Sequence, residues 1–374
     1  MIPMYETLTD AQRILNTLEI TRGRAGELAA LCEKLTDKTL TLAVIGQFKR
    51  GKSSLINAIL GEGILPVGII PVTSTAVRIM YGERSAEISF QSGEHRVVAF
   101  TELPEYISEQ KNRDNVRGVS SVTVHLPSPL LKNGLTLVDT PGVGSIHTHN
   151  THAAYQFVQE SDAVIFMLSV DSPLNEIELA FLKEAKEHAA KFYFAVNKID
   201  TITESDLDEY MEYCRGILTR IFAMQEAALF PVSAKTHAGI DELITAVCYD
   251  CSHQGDRILE TSVRRKAFDV LTSASAEVEL FATALSMPAR HLDEIMHALE
   301  QKLLTLEKMS RHASILIAES GNDLINAIEE GIETEKNTVT GEMTRLIREI
   351  YEEHADVKTS RLEEMFQHFL QTTV

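Results

Sequence analysis

The stretch GQFKRGKSSLINAILG, residues 46–61, decides the fold. Gly46 is followed by four residues and then by Gly51, Lys52 and Ser53, which is the spacing of a phosphate-binding loop. The apolar run TLAVIG before it predicts a buried strand, and KSSLINAIL predicts a helix that begins near Lys52. A phosphate at that helix N-terminus would meet backbone N–H groups and the positive end of the helix dipole. We expect Lys52 to contact the β and γ phosphates and Ser53 to offer its hydroxyl to Mg²⁺.

The bulk composition limits the class of protein. The 374 residues predict two or three domains, and 44% hydrophobic with 24% charged residues is ordinary for a soluble globular chain. A net charge of −19 argues against a nucleic-acid partner, which needs a basic face. The four cysteines form no secreted disulfide pattern, and the N-terminus has no signal peptide. We therefore predict a cytoplasmic protein.

Three segments differ in their periodicity. Residues 1–37 are predicted to be helical and to pack on the C-terminal helices. Residues 38–255 alternate β-rich runs with amphipathic stretches, which predicts a P-loop α/β domain with a mixed, mainly parallel sheet and helices on both faces. Residues 256–374 show helical spacing alone and predict a bundle, whose pattern stops mid-helix, as in a truncated chain or in a short chain that works with a partner chain. The predicted strands are LTLAVIG, TAVRIMYG, AEISFQSG, HRVVAF, VSSVTVHL, LTLVDT, AVIFMLSV, FYFAVN and ALFPVS.

A second phosphate-side motif is LTLVDTPG, a strand that ends in Asp139, Thr140, Pro141 and Gly142. A carboxylate at a strand end beside the phosphate loop can hold the magnesium shell through water. The N–H of Gly142 can reach the γ phosphate and so tie this loop to the nucleotide state. Turn chemistry alone would also favour the sequence DTPG at the end of a strand.

Base recognition is predicted from FAVNKID and FPVSAK. The carboxylate of Asp200 can accept hydrogen bonds from both N1–H and the exocyclic amine of guanine, a donor pair that adenine lacks. Asn197 and Lys198 belong to the same motif. The backbone of Ser233 and Ala234 can contact guanine O6, and Lys235 can cover the base. Four motifs in this order, each after a strand, predict a GTP-binding domain.

Hydrolysis requires a positioned water and neutralisation of the developing charge. We expect Thr73, in the connection LPVGIIPVTSTAVRI, to reach magnesium and the water; Ser74 and Thr75 are alternatives. Val143 stands where small regulatory GTPases place the glutamine that holds the water, so Thr73 and backbone groups must place the water instead. The charge must be met otherwise too. Lys49 or Arg50 could bend over the phosphates as a cationic finger, or could point to solvent or to a dimer partner.

Three histidines, His147, His149 and His152, follow the DTPG loop. Their spacing fits either a metal site or a loop that simply carries them, and magnesium prefers oxygen ligands.

The sequence resembles the dynamin superfamily, in particular bacterial dynamin-like proteins related to mitofusins. The resemblance rests on GQFKRGKSSLINAILG, LPVGIIPVTS, LVDTPGVGS, SDAVIFMLSVDSPLNEIELAFL and VNKID. It implies a GTPase that dimerises through its nucleotide face and drives helical neck and trunk segments on membranes, either as a homodimer or with a related chain. It also implies peripheral membrane association at the inner face. By the family pattern the nucleotide and magnesium residues are Gly46, Gln47, Phe48, Lys49, Arg50, Gly51, Lys52, Ser53, Ser54, Thr73, Asp139–Gly142 and Asn197–Asp200.

Two departures from the family pattern matter. Many members have serine at the position of Lys49, where dynamins proper bind a monovalent cation. The Lys49 ammonium could replace that cation, so a potassium requirement is not expected; guanylate-binding and atlastin-type proteins carry an arginine finger there. Family members also usually run longer and carry a hydrophobic membrane-inserting tip, which this sequence does not show. The alternatives are a nucleotide-gated scaffold with negligible turnover and a regulatory or ribosome-assembly GTPase.

Overall fold

The computed structural model describes residues 4–68, 76–108, 110–112, 115–140, 157–222 and 228–286, and residues 295, 297–298, 300–306 and 308–309. The chain divides into two compact units. One comprises residues 1–10 and 28–269, and the other comprises residues 11–27 and 270–374. The division predicted above, at residues 37 and 255, stays a prediction.

The first unit is built on a nine-stranded sheet with the order β4-β3-β5-β2-β6-β1-β7-β8-β9. Parallel pairs join β1 to β6 and β7, β2 to β5, β7 to β8 and β8 to β9. Antiparallel pairs join β2 to β6 and β3 to β4 and β5. The predicted mixed, mainly parallel sheet is therefore confirmed. The strands are β1 Leu40–Ile45, β2 Val77–Tyr81, β3 Ser85–Phe90, β4 His95–Val98, β5 Val119–Leu126, β6 Leu135–Asp139, β7 Ala163–Ser169, β8 Lys191–Asn197 and β9 Leu229–Pro231.

Helices connect these strands and flank the sheet. Up to residue 286 the described α-helices are α1 Met4–Leu15, α2 Arg22–Asp37, α3 Lys52–Leu60, α4 Pro104–Ile107, α5 Glu176–His188, α6 Glu204–Phe222 and α7 Ile240–Ser286, and residues 300–306 are also helical. Gly61 ends α3 in a left-handed conformation, the usual helix stop. Asn175 and Glu178 form a reciprocal capping box at the start of α5. Local sequence therefore fixes these helix ends.

Alternate residues of β1 point into two different cores. Leu42 and Val44 pack on one face with the apolar side of α3 and the start of α7. Ala43 and Ile45 pack on the other face with α5 and α6. Successive side chains of a strand point to opposite faces, so a strand buried on both sides reads as a continuous apolar run. The two cores confirm the prediction of helices on both faces.

A buried carboxylate joins α2, β1 and α7 within the first unit. Asp162 Oδ2 accepts from the backbone N–H of Thr41 at 2.7 Å and pairs with Lys34 Nζ at 2.6 Å. Its Oδ1 accepts from Ser262 Oγ at 2.6 Å and from Lys266 Nζ at 3.1 Å. Burial alone would raise the pKa of Asp162, but the two lysines and these hydrogen bonds hold it below its usual value. The charge cluster therefore fixes both helices to the sheet.

The second unit contains helical residues of α1, α2 and α7. Within it, Arg24 of α2 donates through Nε and Nη2 to Glu277 Oε1 of α7, each at 2.9 Å. Packing of the N-terminal segment on the whole C-terminal bundle stays a prediction, because most residues beyond 286 lie outside the described range. None of the helices described is long and apolar enough to cross a membrane.

Candidate nucleotide-binding site

The predicted motifs meet at one edge of the sheet. The phosphate loop follows β1, the DTPG loop follows β6, and NKID follows β8, all at the carboxyl ends of their strands. The strands run side by side in the order β6-β1-β7-β8-β9. Carboxyl ends of parallel strands form the usual ligand crevice of open α/β sheets.

Two glycines let the phosphate loop pass close to neighbouring chain. A Cβ on Gly46 would lie 2.8 Å from the Cβ and the carbonyl oxygen of Met167, and one on Gly51 would lie 2.3 Å from Asn197 Nδ2. Gly51 also has φ +94°, which disfavours any side chain. It is the N-cap of α3, and no side chain caps that helix. The helix N-terminus thus suits an anion such as phosphate.

The ammonium group of Lys52 lies inside this loop. Its Nζ donates to the carbonyl oxygens of Gly46 at 2.9 Å and Gln47 at 3.4 Å, and the residue is 8% exposed. Burial lowers the pKa of Lys52 to about 8, although the negative charge of Asp139 opposes this shift. A bound phosphate would add further negative charge beside Nζ, which favours the protonated lysine.

The pair expected to serve magnesium comes together. Ser53 Oγ donates to Asp139 Oδ2 at 2.7 Å, and Asp139 is 1% exposed. A hydroxyl and a carboxylate supply the oxygen ligands that Mg²⁺ prefers, so the residues fit this ion. Thr140 Oγ1 donates to the Val44 carbonyl at 2.9 Å and fixes the start of the DTPG loop.

Several predicted residues lie outside the described part of the chain. They are Thr73, with its alternatives Ser74 and Thr75, Gly142 with Val143, and His147, His149 and His152. Their roles stay predictions.

The base-recognition residues contact one another. Asn197 Nδ2 donates to the carbonyl of Arg50 at 2.9 Å, and its Oδ1 accepts from the backbone N–H of Ala234 at 3.0 Å. Asp200 Oδ1 accepts from Ser233 Oγ at 2.7 Å. The amide of Asn197 therefore links the phosphate loop to both base loops.

The two lysines of these loops occupy different positions. Lys235 Nζ lies 4.0 Å from Asp200 Oδ2, and its side chain is 85% exposed. Lys198 has a left-handed backbone and pairs with Asp171 at 2.6 Å. Asp171 belongs to the loop after β7, which the sequence reasoning did not assign to the site.

The remaining phosphate-loop residues differ in exposure. Lys49 is exposed, and its Nζ lies 5.5 Å from the ring centroid of Phe48. Gln47 and Phe48 are half-buried, and so is Ser54 in the first turn of α3. Lys49 thus carries an accessible cation at the surface of the loop.

Arg50 takes a position different from the one expected of a cationic finger. Its guanidinium is buried, with Nε 3.0 Å from Glu178 Oε1 and Nη2 2.7 Å from Glu178 Oε2. A two-pronged bond to a buried carboxylate is strong and geometrically specific, so it holds the side chain inside the protein. The finger role predicted for Arg50 is therefore corrected, and Lys49 remains the candidate.

Sequence reasoning missed Glu178, although a signal was present. Glu178 lies in the apolar stripe formed with Phe181, Leu182 and Ala185 of α5, and it is fully buried. A carboxylate inside such a stripe requires a buried partner. Its spacing from Asn175 also matches a capping box.

The comparisons with known proteins agree in pointing to dynamin-like GTPases. The model of the Dynamin family matches residues 42–200. An uncharacterized protein in the xynA 3′ region of Caldicellulosiruptor sp. (strain Rt8B.4) is 29% identical over 91% of this chain and 89% of its own length. A probable transmembrane GTPase FZO-like, chloroplastic, of Arabidopsis thaliana is 30% identical over 54% of this chain and 20% of its own.

Dynamin-like protein 2 of Campylobacter jejuni is 26% identical over 75% of this chain and 45% of its own length. The chain thus spans less than half the length of the FZO-like GTPase and of dynamin-like protein 2. The match over residues 42–200 includes the phosphate loop, the start of the DTPG loop and the base residues Asn197, Lys198 and Asp200. Residues 42–200 of this chain therefore form a GTPase domain of the Dynamin family, and bacterial dynamin-like proteins and an FZO-like GTPase are among the chain's relatives.

Proposed function

We propose that this chain binds GTP with Mg²⁺, hydrolyses it faster when two GTPase domains dimerise, and couples the cycle to membrane remodelling. One observation carries the nucleotide part. Asn197 bonds to Arg50 of the phosphate loop and to Ala234 of the base loop, at 2.9 and 3.0 Å. A single amide therefore sets the spacing between a phosphate site and a base site.

In this proposal Asp200 selects the base. Its Oδ1 is held by the Ser233 hydroxyl at 2.7 Å, which fixes the carboxylate plane. A carboxylate so placed accepts both N1–H and the exocyclic amine of guanine, and adenine cannot satisfy it. A site built to accept hydrogen bonds from two donors strongly rejects a base that lacks them. Lys235, at the surface beside Asp200, covers the base.

The phosphate end supplies charge. Lys52 leaves the carbonyls of Gly46 and Gln47 and contacts the β and γ phosphates, while the α3 N-terminus receives phosphate oxygens. Ser53 and Asp139 would hold Mg²⁺, which neutralises phosphate charge when bound. Lys49 supplies the cation for charge that develops on the leaving phosphate, and Thr73 orients the water.

Dimerisation and membrane action rest on family membership. Lys49 is exposed on the phosphate loop, so a second GTPase domain could order it by covering this face. One relative is named as a probable transmembrane GTPase, and another as a dynamin-like protein. The partner would be a second copy or a related dynamin-like chain, and the membrane association peripheral.

The test is phosphate release from GTP over a wide range of protein concentration, with and without anionic vesicles. We expect specific activity to rise with concentration, and Lys49→Ala to lower the plateau at least tenfold. Arg84→Ala, at an exposed ion pair with Glu62, is the control and should behave as wild type. Tight stoichiometric GTP binding without phosphate release would instead favour the scaffold.

A further inference from the structure

The backbone of Lys49 is strained. It has φ +68°, in the left-handed region that residues with a side chain rarely adopt. The turn closes by a 3.3 Å hydrogen bond from Arg50 N to the Gln47 carbonyl. Such a conformation persists only where the surroundings over-determine it, and it is concentrated at functional sites.

Two residues that flank Lys49 in this turn, Gln47 and Arg50, are tethered to the same segment. Gln47 Oε1 accepts from Asn175 Nδ2 at 2.8 Å, and Arg50 makes its two bonds to Glu178. The guanidinium also donates to the carbonyl oxygens of Ser169 (3.3 Å), Ser172 (2.7 Å) and Pro173 (3.2 Å). All the donor groups of Arg50 are thereby used, so the side chain has one well-defined position.

The segment that receives these tethers is itself rigid. Asn175 and Glu178 cap α5 reciprocally, with bonds of 3.2 and 3.0 Å. At the other end, Arg265 of α7 donates to the carbonyl oxygens of Lys186 at 3.2 Å and Ala189 at 2.8 Å. The start of α5 is therefore a fixed support for the phosphate loop.

We propose that Arg50 and Glu178 are positioning residues, which hold Lys49 in its left-handed conformation and so direct its ammonium group to the reacting phosphate. This inference rests on the proposed function, in which Lys49 neutralises charge. The finger residue, Lys49, and the positioning residue, Arg50, are thus consecutive in sequence. Lys49 is exposed, and Arg50 is buried.

A purely stabilising role predicts a different behaviour. Replacing both members of a buried ion pair by apolar residues of similar size often leaves stability unchanged. Removing only one member leaves the other charge buried without a partner, which destabilises the protein. The double variant Arg50→Met/Glu178→Leu therefore distinguishes an effect on stability from an effect on the position of Lys49. The matched control is Arg84→Met/Glu62→Leu, an ion pair of 2.6 Å at the surface.

The experiment measures thermal stability, GDP affinity, kcat and KM at protein concentrations where specific activity no longer rises. For Arg50→Met/Glu178→Leu we expect GDP affinity within about threefold of wild type, because Lys52 and the α3 N-terminus remain. We expect kcat to fall as far as in Lys49→Ala, by about tenfold or more. Adding Lys49→Ala to the pair variant should lower kcat no further, since all three residues act through one group.

The outcomes distinguish the two proposals. If Lys49→Ala lowers kcat while a folded pair variant keeps the wild-type value, or if the effects multiply, the positioning role is wrong and the proposed function stands. If Lys49→Ala leaves kcat unchanged, the finger and its positioning both fail. Should the pair variant not fold, Arg50→Lys decides. It keeps the charge but loses the two-pronged bond, so wild-type kcat in that variant would overturn the positioning role.

Discussion

Gly51 and Asn197 approach so closely that a Cβ on Gly51 would lie 2.3 Å from the Asn197 side-chain nitrogen. That nitrogen donates to the carbonyl of the preceding residue, Arg50, at 2.9 Å. The phosphate loop and the guanine loop can therefore meet only where position 51 has no side chain. The relationship explains why this position must be glycine on grounds of space as well as of backbone conformation.

Gly51→Ala should break this contact and weaken GTP and GDP binding by at least about 100-fold, because either Asn197 or the loop must move. Titration with a fluorescent guanine nucleotide measures the effect. Gly216→Ala is the control: it lies in α6, and apart from its own helix backbone and chain neighbours no described atom lies within 4 Å of the added Cβ. That variant should bind normally and unfold at a slightly higher temperature. Wild-type affinity in Gly51→Ala would contradict the close packing of Gly51 against Asn197.

Asp200→Asn should change the base that the site selects. An amide can still accept from the Ser233 hydroxyl, so the fold is retained, but it presents one acceptor where guanine offers two donors. We expect GTP affinity to fall by about 100-fold or more and XTP affinity to rise, because the C2 carbonyl of xanthine accepts from the amide. Competition of XTP and GTP in wild type and variant measures this. Unchanged preference for GTP would show that Asp200 does not read the base.

Nucleotide binding should weaken as pH rises above about 8. Burial lowers the pKa of Lys52 to about 8 in the free protein, and bound phosphate raises it again. The favourable contribution is fully present below the free-state pKa and is lost as pH increases through it. We expect the Kd for GDP to be flat from pH 6.5 to 7.5 and then to rise towards about tenfold per unit.

Lys52→Gln is the control for this pH dependence. This variant should bind GDP more weakly than wild type, but its Kd should not rise as the pH increases through about 8. Any titration of the guanine base itself occurs with both proteins and so cancels in the comparison. Calorimetric titration in buffers of different ionisation enthalpy gives the proton uptake directly. A rise that persists unchanged in Lys52→Gln would assign the titration to another group.

Asp162→Asn should destabilise the first unit. The substitution removes the charge that pairs with Lys34 and Lys266, both with side chains 14% exposed. Removing one partner of a buried pair costs about 3–5 kcal/mol, and Tm should fall by roughly 6 °C or more. The control Asp256→Asn breaks the pair with Lys38, whose side chains are 68% and 73% exposed, and should leave Tm nearly unchanged. Equal Tm values for the two variants would show that the buried ion pairs of Asp162 do not stabilise the first unit.

The sequence by itself determined the elements and the nucleotide motifs. Apolar runs such as TLAVIG and AVIFMLSV predicted strands buried on two faces, and the glycine and lysine spacing of residues 46–53 predicted a phosphate beside a helix start. These signals are local, so the residues within one window carry them. The order of four motifs, each after a strand, then predicted a GTP-binding domain.

Only the tertiary structure decided how adjacent residues divide their roles. Lys49 and Arg50 are both cationic, and no local pattern says which one is buried. The decision comes from Glu178, which is distant in the chain and reaches Arg50 because β7 lies beside β1 in the sheet. The same holds for Asp162, whose partners come from α2 and α7. Burial of a charge depends on a partner that chain folding supplies, and that information is not contained in any single stretch of sequence.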